Sequence, residues 1–569
     1  MSGGVFMRQG VRTHRAGCRS YALATMGVLL GAVGGCAGPF GSSPRDYGPR
    51  PALERTRVVE GVEFPKAPPE QQEAQETLPQ QLDEPEQLEI SIEEVRAWTL
   101  QNNLDLQVAL YDPAIAGESV SEEEARFEAT IFANVRAQQL DQPVASQLSG
   151  SAVETIDVNT GVRIPLRTGG SVEVSLPFNR TKTNNQFSLL NPSFTSDFQV
   201  SITQPLLRNA GRRASTHFIR IAALQQDVAS ARTKLQVIQT LAAAERAYWL
   251  LYAARRELEV RQQQYELAMQ QLERARRRVQ AGMDPEIEIT RAEEGVAQRL
   301  EAIIVAENNV HQQERELKRI MNRPDLPMGS ATALVPVTQP DPVQLQLDAP
   351  TLVREALASR MELLELELQL AIDDSTIEYN RNQTLPQLDV TGTYRRNGLG
   401  EGLASAVNQL RGERFEDWIF SLTAEAPIGN QAAESRLRRS MLQRLQRIAT
   451  RRGRELTIEQ EVRDAIDAID ADWRRVLAAQ QSAILAGRTL AAEQRQYEVG
   501  ARTSTEVLDA AARLADAQSA EIRAVTDYQI AQLNLATATG MLLGASKVDW
   551  APLALPKKPS GAPRVGGEE

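Results

Sequence analysis

This chain is poor in the residues that do covalent or metal chemistry. Among 569 residues there are two cysteines, Cys18 and Cys36, and three histidines. Two cysteines cannot form the framework of a disulfide-stapled scaffold. No His/Cys/Asp cluster has the spacing of metal ligands, and no phosphate-binding or dinucleotide-binding glycine motif is present. Each absence is weak alone; together they argue against an enzyme and leave no cofactor to expect beyond a lipid. Aromatic residues make up only 5 %, and the net charge of −11 offers nothing to attract nucleic acid. What the chain does have is Ala, Gln, Glu, Arg and Leu in the second half of each of two internal repeats, a composition of long helices and coiled coils.

The first 35 residues read as an export signal. Arg8, Arg12, Arg15 and Arg19 precede an apolar run from Tyr21 to Val33 that is too short to span a bilayer. The run ends in Val33-Gly-Gly-Cys36. Small residues before a cysteine resemble the bacterial lipobox, with Val33 where leucine is usual, so Cys36 is expected to carry a lipid. The alternative is an ordinary signal with an incidental cysteine. Residues 36–88 are rich in Pro, Glu and Gln and read as a tether. Residues 546–569, with Pro556-Lys-Lys-Pro, read as a disordered tail.

Between them lies a duplication, with a first repeat at 89–325, an inter-repeat segment at 326–348 and a second repeat at 349–545. Glu94-Val-Arg matches Leu352-Val-Arg, Pro205 aligns with the proline of Thr423-Ala-Glu-Ala-Pro427, and Gly282 matches Gly500. Each repeat reads helix, strand, strand, long helix, tip, returning helix. Strand-like alternation runs through Ile131, Ala133 and Val135, through Phe198, Val200 and Ile202, through Leu388 and Val390, and through Trp418, Phe420 and Leu422. Phe132 and Ile419 break it. The first repeat carries about 35 extra residues with a hairpin pattern, Glu154 to Pro165 and Ser171 to Phe178, whose relation to the other strands stays open. Strands of this kind suit a transmembrane barrel wall. Four principal strands cannot close a barrel, whereas three copies would give about twelve. A soluble sandwich is the competing reading.

The long helices carry sevenfold spacing. Leu251, Leu258, Tyr265, Leu272 and Val279 mark one seam, with alanines beside it; Val462, Ile469, Val476, Ala483, Leu490 and Tyr497 mark another. A helix from about residue 212 to 280 would reach roughly 100 Å.

The phrases Ile202-Thr-Gln-Pro-Leu-Leu-Arg-Asn-Ala-Gly211, Tyr497-Glu-Val-Gly-Ala-Arg502 and Glu506-Val-Leu-Asp-Ala510, set in this duplicated plan, resemble the TolC-type outer-membrane efflux proteins over roughly residues 89–545. The resemblance implies an α+β membrane protein in which the duplicated helix-strand-strand-helix repeat forms a trimeric transmembrane β-barrel continued by a long periplasmic α-helical coiled-coil barrel. It further implies an exit duct for small molecules, drugs or metal ions, that works with a periplasmic adaptor and an inner-membrane transporter, most often proton-driven. A type I protein-secretion duct and a coiled-coil adaptor without a barrel are the alternatives. By the same resemblance Tyr497, Arg502, Glu506 and Asp509, with Glu288 in the first repeat, form a periplasmic gate. Gly282, Val499 and Gly500 form the hairpin tips that dock the adaptor, with the Arg274–Arg278 basic cluster beside them. From the residues alone, Glu506 and Asp509 read first as a solvated helix face paired with Arg502 and Arg513, and only the resemblance favours the gate.

Overall fold

The computed structural model describes residues 86–144, 150–283, 285–412, 415–499 and 501–548, all within one compact unit. Cys36, the signal segment, nearly all of the 36–88 tether, Gly500 and most of the tail lie outside the described residues.

The chain runs through one succession of elements twice. The first pass is β1 (Gln87–Ile90), α1 (Ile92–Asn102), α2 (Leu104–Ala125), strands β2 (Thr130–Asp141), β3 (Ala152–Pro165), β4 (Ser171–Thr183) and β5 (Ser193–Pro205), a short α3 (Arg212–Ser215), α4 (His217–Gln280) and α5 (Ile287–Met321). The second is β6 (Ala333–Pro336), α6 (Ala349–Ser359), α7 (Met361–Gln383), β7 (Gln387–Gly400), α8 (Leu403–Arg411), β8 (Glu416–Glu425), α9 (Gln431–Glu498), α10 (Ser504–Ala538) and α11 (Leu542–Ala545). Helix lengths agree between the passes: 11 and 11 residues for α1 and α6, 64 and 68 for α4 and α9, 35 and 35 for α5 and α10. At 1.5 Å per residue α4 and α9 reach about 100 Å. Among the described residues no helix is both long and apolar enough to cross a membrane.

A single extended residue breaks the helical path in each half. Asn103 caps α2 by accepting from Leu106 N at 2.9 Å, while its amide donates to the Ile320 carbonyl at the end of α5 at 2.8 Å. Arg360 stands at the matching break and donates to the Ala538 carbonyl at the end of α10 at 3.0 Å, with Glu362 and Glu461 holding its guanidinium at 2.8 and 2.7 Å. Both side chains satisfy last-turn carbonyls that have no partner within their own helix. The short parallel pair β1–β6, unread in the sequence because four residues carry no period, ties the starts of the two halves together. Tyr248 of α4 seals it, donating to the Ile90 carbonyl at 3.3 Å and accepting from Thr338 N at 2.9 Å.

The long strands form one antiparallel sheet in the order β2-β3-β4-β5-β7-β8. The extra hairpin of the first repeat is therefore β3–β4, inserted between the two principal strands of that repeat. The sheet holds six strands, not the four principal strands counted from the sequence. Register sorts the side chains into two faces. One cross-strand row reads Ile131, Val162, Val174, Val200, Tyr394, Trp418. The row beside it reads Thr130, Arg163, Glu173, Ser201, Thr393, Ile419, and its side chains stand on the opposite face. Hydroxyl pairs Ser201–Thr393 at 3.0 Å and Thr203–Thr391 at 3.1 Å, and the Arg163–Glu173 ion pair at 2.9 Å, belong to this polar face. Phe132, the exception in its strand, sits opposite Gly161. Its ring fills the space where a Cβ at 161 would meet Phe132 Cζ at 2.8 Å, and the Arg163 guanidinium lies 5.6 Å from its centroid.

The helical seams differ. All six sevenfold positions of α9 from Val462 to Tyr497 are buried. In α4 the alanines at 247, 254, 268 and 275 are buried with Leu251 and Leu272, but so are Gln264 and Gln271, so the first seam is partly polar.

Pro113 lies inside α2. It has no N–H for the carbonyl of Ala109, one turn back. Buried Thr233 of α4 supplies the missing donor, Oγ1 to Ala109 O at 2.9 Å. Thr233→Val keeps the shape and orphans that carbonyl, which costs about 1–2 kcal/mol. The loss is expected as a lower urea midpoint for the far-UV circular dichroism signal. Adding Pro113→Ala returns the N–H, so the double variant should recover most of the loss; two additive losses would show that the bond carries no such role.

Candidate functional site

The two helical tips are built alike. α4 ends at a glycine with φ +72°, Gly282, a backbone conformation that a side chain strains, and nothing crowds the position. The Met283 amide reaches back to Arg278 O and the Gly282 amide to Val279 O, both at 2.9 Å, which closes the helix end in a Schellman pattern. At the second tip the Ala501 amide makes the same reach to Gln496 O at 2.9 Å, with Val499 as the exposed C-cap of α9. A turn of this form reverses the chain in a few residues without leaving carbonyls bare.

The structure brings the tips side by side. Glu288, on the first turn of α5, accepts a hydrogen bond from the Ser504 hydroxyl at the start of α10, and Arg291 pairs with it at 2.7 Å. The Arg278 guanidinium lies 5.2 Å from the centroid of the Tyr497 ring. Arg274, Arg277, Arg278, Met283, Tyr497 and Glu498 line an open cleft between the tips. Arg276, of the same basic cluster, is taken up within its own hairpin by Glu293 at 2.9 Å.

The residues of the expected gate part company here. Tyr497 is 6 % exposed and packs with Leu490, Val507, Ala510 and Ala511, so it belongs to the seam inside this chain. Arg502 pairs with Glu506 at 2.6 Å and Glu493 at 3.3 Å, both in its own hairpin. Glu506 also accepts from Thr503 N at 2.8 Å and Thr503 Oγ1 at 3.1 Å, which completes a capping box at the N-terminus of α10. Asp509 is exposed and makes no ion pair or hydrogen bond among the described residues, so the pairing with Arg513 that its spacing allows is not formed. Sequence reasoning missed Thr503, Ser504 and Glu493. The signature for the first was legible, since Thr503-x-x-Glu506 is a capping-box spacing. Ser504 answers to a residue 216 positions away and carries no local signal. Among the described residues no cluster of His, Cys, Asp and Glu could hold a metal ion.

Residues 171–323 and 352–541 match the family model described as Outer membrane efflux protein. The chain is 23 % identical over 351 residues to outer membrane protein TolC of Escherichia coli (strain K12), covering 60 % of this chain and 69 % of that protein. To the TolC of Vibrio cholerae serotype O1 it is 23 % identical over 323 residues, 56 % of this chain and 71 % of that protein. Among solved structures the Campylobacter jejuni CmeC outer membrane channel superposes with a TM-score of 0.61 at 14 % identity, covering 79 % of this chain and 86 % of that one. A Pseudomonas aeruginosa membrane protein superposes with the same TM-score at 19 % identity, covering 79 % and 93 %. The chain belongs to the outer membrane efflux protein family, a family of channels rather than enzymes, and is an outer-membrane protein with a large periplasmic part.

The capping box generates a pH dependence. Hydrogen bonds from Thr503 N–H and from Arg502 hold the Glu506 carboxyl below its ordinary value of 4.5. A carboxyl whose pKa is lowered in the folded chain stabilises it above the ordinary value, and that contribution disappears as the pH falls through the lowered one. Amide protection in the first turn of α10, read by hydrogen exchange, is expected to hold at neutral pH and to drop only as the pH falls below 4.5. In Glu506→Gln, which keeps an acceptor but cannot titrate, it should stay flat across that range. A flat profile in the unaltered chain would refute the assignment.

Proposed function

We propose that three copies of this chain join their sheets into one barrel in the outer membrane and their helices into one tube below it. The assembly is the exit duct of a tripartite efflux system. Drugs or metal ions reach it from a periplasmic adaptor and an inner-membrane transporter, which supplies the driving force from protons. The observation that carries this reading is one chain holding both a sheet apolar on one face, with its two edge strands unpaired, and helices of about 100 Å.

Unpartnered helix faces support the copy number. Leu104, Val108, Tyr111 and Ile115 of α2, each 59–67 % exposed, recur at helical spacing along one stripe. α9 leaves Leu442, Leu445, Leu456, Leu477 and Ile484 exposed, away from its intrachain seam. Stripes of this extent on a single chain find cover in a neighbouring copy.

At the periplasmic end the gate role falls to Asp509. Three copies of an exposed carboxylate around a narrow axis repel one another and favour cations. Arg502 and Glu506 brace the turn that presents it, Tyr497 anchors that turn to the seam, and the Glu288–Ser504 contact ties the first tip to the second. Gly282 and Val499 at the tips, with Gly500 next in sequence to Val499, are the proposed docking point for an adaptor hairpin. In planar bilayers the purified trimer should conduct, and Asp509→Ala together with Glu506→Ala should raise conductance and weaken block by multivalent cations. A detergent-free soluble monomer would end the duct reading, and an unchanged conductance would end the gate.

A lipid on Cys36 completes the proposal, giving the assembly a second hold on the membrane. Cys36→Ser is expected to abolish incorporation of labelled palmitate; label retained in that variant would show the lipobox misread.

A further inference from the structure

The added hairpin β3–β4 lies inside the sheet, and every measure of the sheet treats it as wall. Its strands pair with their neighbours over most of their length, from Thr130↔Arg163 to Asp141↔Ala152 on one side and from Ser171↔Thr203 to Thr181↔Ser193 on the other, where the ladder keeps its register across a gap at Leu176 and Pro177. The apolar row Ile131, Val162, Val174, Val200, Tyr394, Trp418 crosses it without a polar interruption. A second row, Ile164, Val172, Ile202, Gly392, Phe420, does the same, and a Cβ at Gly392 would meet the Phe420 ring at 3.5 Å. On the opposite face Arg163, Glu173, Ser175 and Asn179 continue the polar lining set by Gln199, Ser201, Thr391 and Thr393. A hairpin folded over the mouth as a loop would need neither continuous pairing nor this division of faces. With 14 and 13 residues, β3 and β4 are long enough for the task, since a tilted transmembrane strand takes about 9–11.

The helices beneath give an independent width. α2, α4, α7 and α9 enter or leave the sheet and pack in that order, side by side. Four helices at about 8–10 Å spacing span roughly 32–40 Å. Six strands about 4.8 Å apart and tilted by about 40° span about 38 Å along the perimeter, and four strands only about 25 Å. The six-stranded sheet is the one that matches the helices it stands on.

We infer that the outer-membrane wall of the trimer has eighteen strands, six from each of three copies, and that its bore is correspondingly wide. This rests on the exit-duct reading above. At the same spacing and tilt an eighteen-stranded wall is about 36 Å across between backbones, against about 24 Å for twelve. Allowing about 5 Å of side chain on each side, the clear opening is about 26 Å against about 14 Å. The barrel then sets no size limit for drug-sized solutes and admits bulky ones, such as compact peptides or oligosaccharides. Selection by size is left to the helical end.

Polymer exclusion tests this. Poly(ethylene glycol)s of graded size are added to the compartment facing the outer end of the reconstituted full chain, and the largest one that still lowers conductance is recorded. Deleting residues 145–188 joins β2 to β5 through a short outer loop and removes the hairpin. The unaltered channel should admit polymers near 20 Å across, and the deletion variant should exclude them. Equal cut-offs in the two channels would overturn the widened wall and leave the duct intact, whereas no conductance from the unaltered chain would remove the duct itself. Should the deletion fail to assemble, electron cryo-microscopy of the unaltered trimer decides: eighteen strands in the wall uphold the inference, and twelve with the hairpin outside it overturn it.

Discussion

A strand edge cannot face hydrocarbon. Its free N–H and C=O groups would each lose water without gaining a partner, at a cost of several kcal/mol apiece. The sheet described here ends in two such edges, β2 and β8, and apolar rows cross one face of it from edge to edge. Much else in the chain is arranged around that debt. The long helices α2, α4, α7 and α9 all meet the sheet at one end, and only the short α8 lies at the other. Their own apolar stripes on α2 and α9 run outside the intrachain seams, so the cover that would close the sheet would also close the helices.

Duplication supplies the frame and tolerates different chemistry within it. At the single-residue breaks between α1 and α2 and between α6 and α7, a short amide and a long guanidinium do the same work. Asn103 and Arg360 each reach the last carbonyls of the helix returning from the tip. The amide is neutral and needs only its cap. The guanidinium is buried and is held by two carboxylates, Glu362 and Glu461. The two breaks share their geometry but not their charge balance. The sheet shows the same freedom on a larger scale, since one half contributes four strands and the other two.

Legibility in the sequence followed the range of the interaction. The α9 seam was readable residue by residue because one buried position per seven, from Val462 to Tyr497, is a local period. The α4 seam was read less well, since Leu258, Tyr265 and Val279 of the expected seam are only half-buried, while Gln264 and Gln271 beside it are buried. Alternation located every long strand but shortened several, because ends such as Asn179–Thr183 are held by the ladder and carry no pattern of their own. The placement of β3–β4 was not readable, since pairing partners are set by register and not by composition. At the tips the glycine turn and the Arg502–Glu506 spacing were visible. The Glu288–Ser504 contact was not, because it depends on two repeats meeting across more than 200 residues.

The Thr233 hydroxyl that answers Ala109 has a consequence for what positions 233 and 113 can each tolerate. Threonine at 233 is harmless while residue 113 still has its N–H; its hydroxyl can turn back to its own helix. Proline at 113 without that threonine leaves a bare carbonyl in a packed interface. The two positions are therefore coupled in one direction: the hydroxyl without the proline costs little, whereas the proline without the hydroxyl leaves an acceptor bare. A bond between two helices makes what one of them tolerates depend on a single side chain of the other.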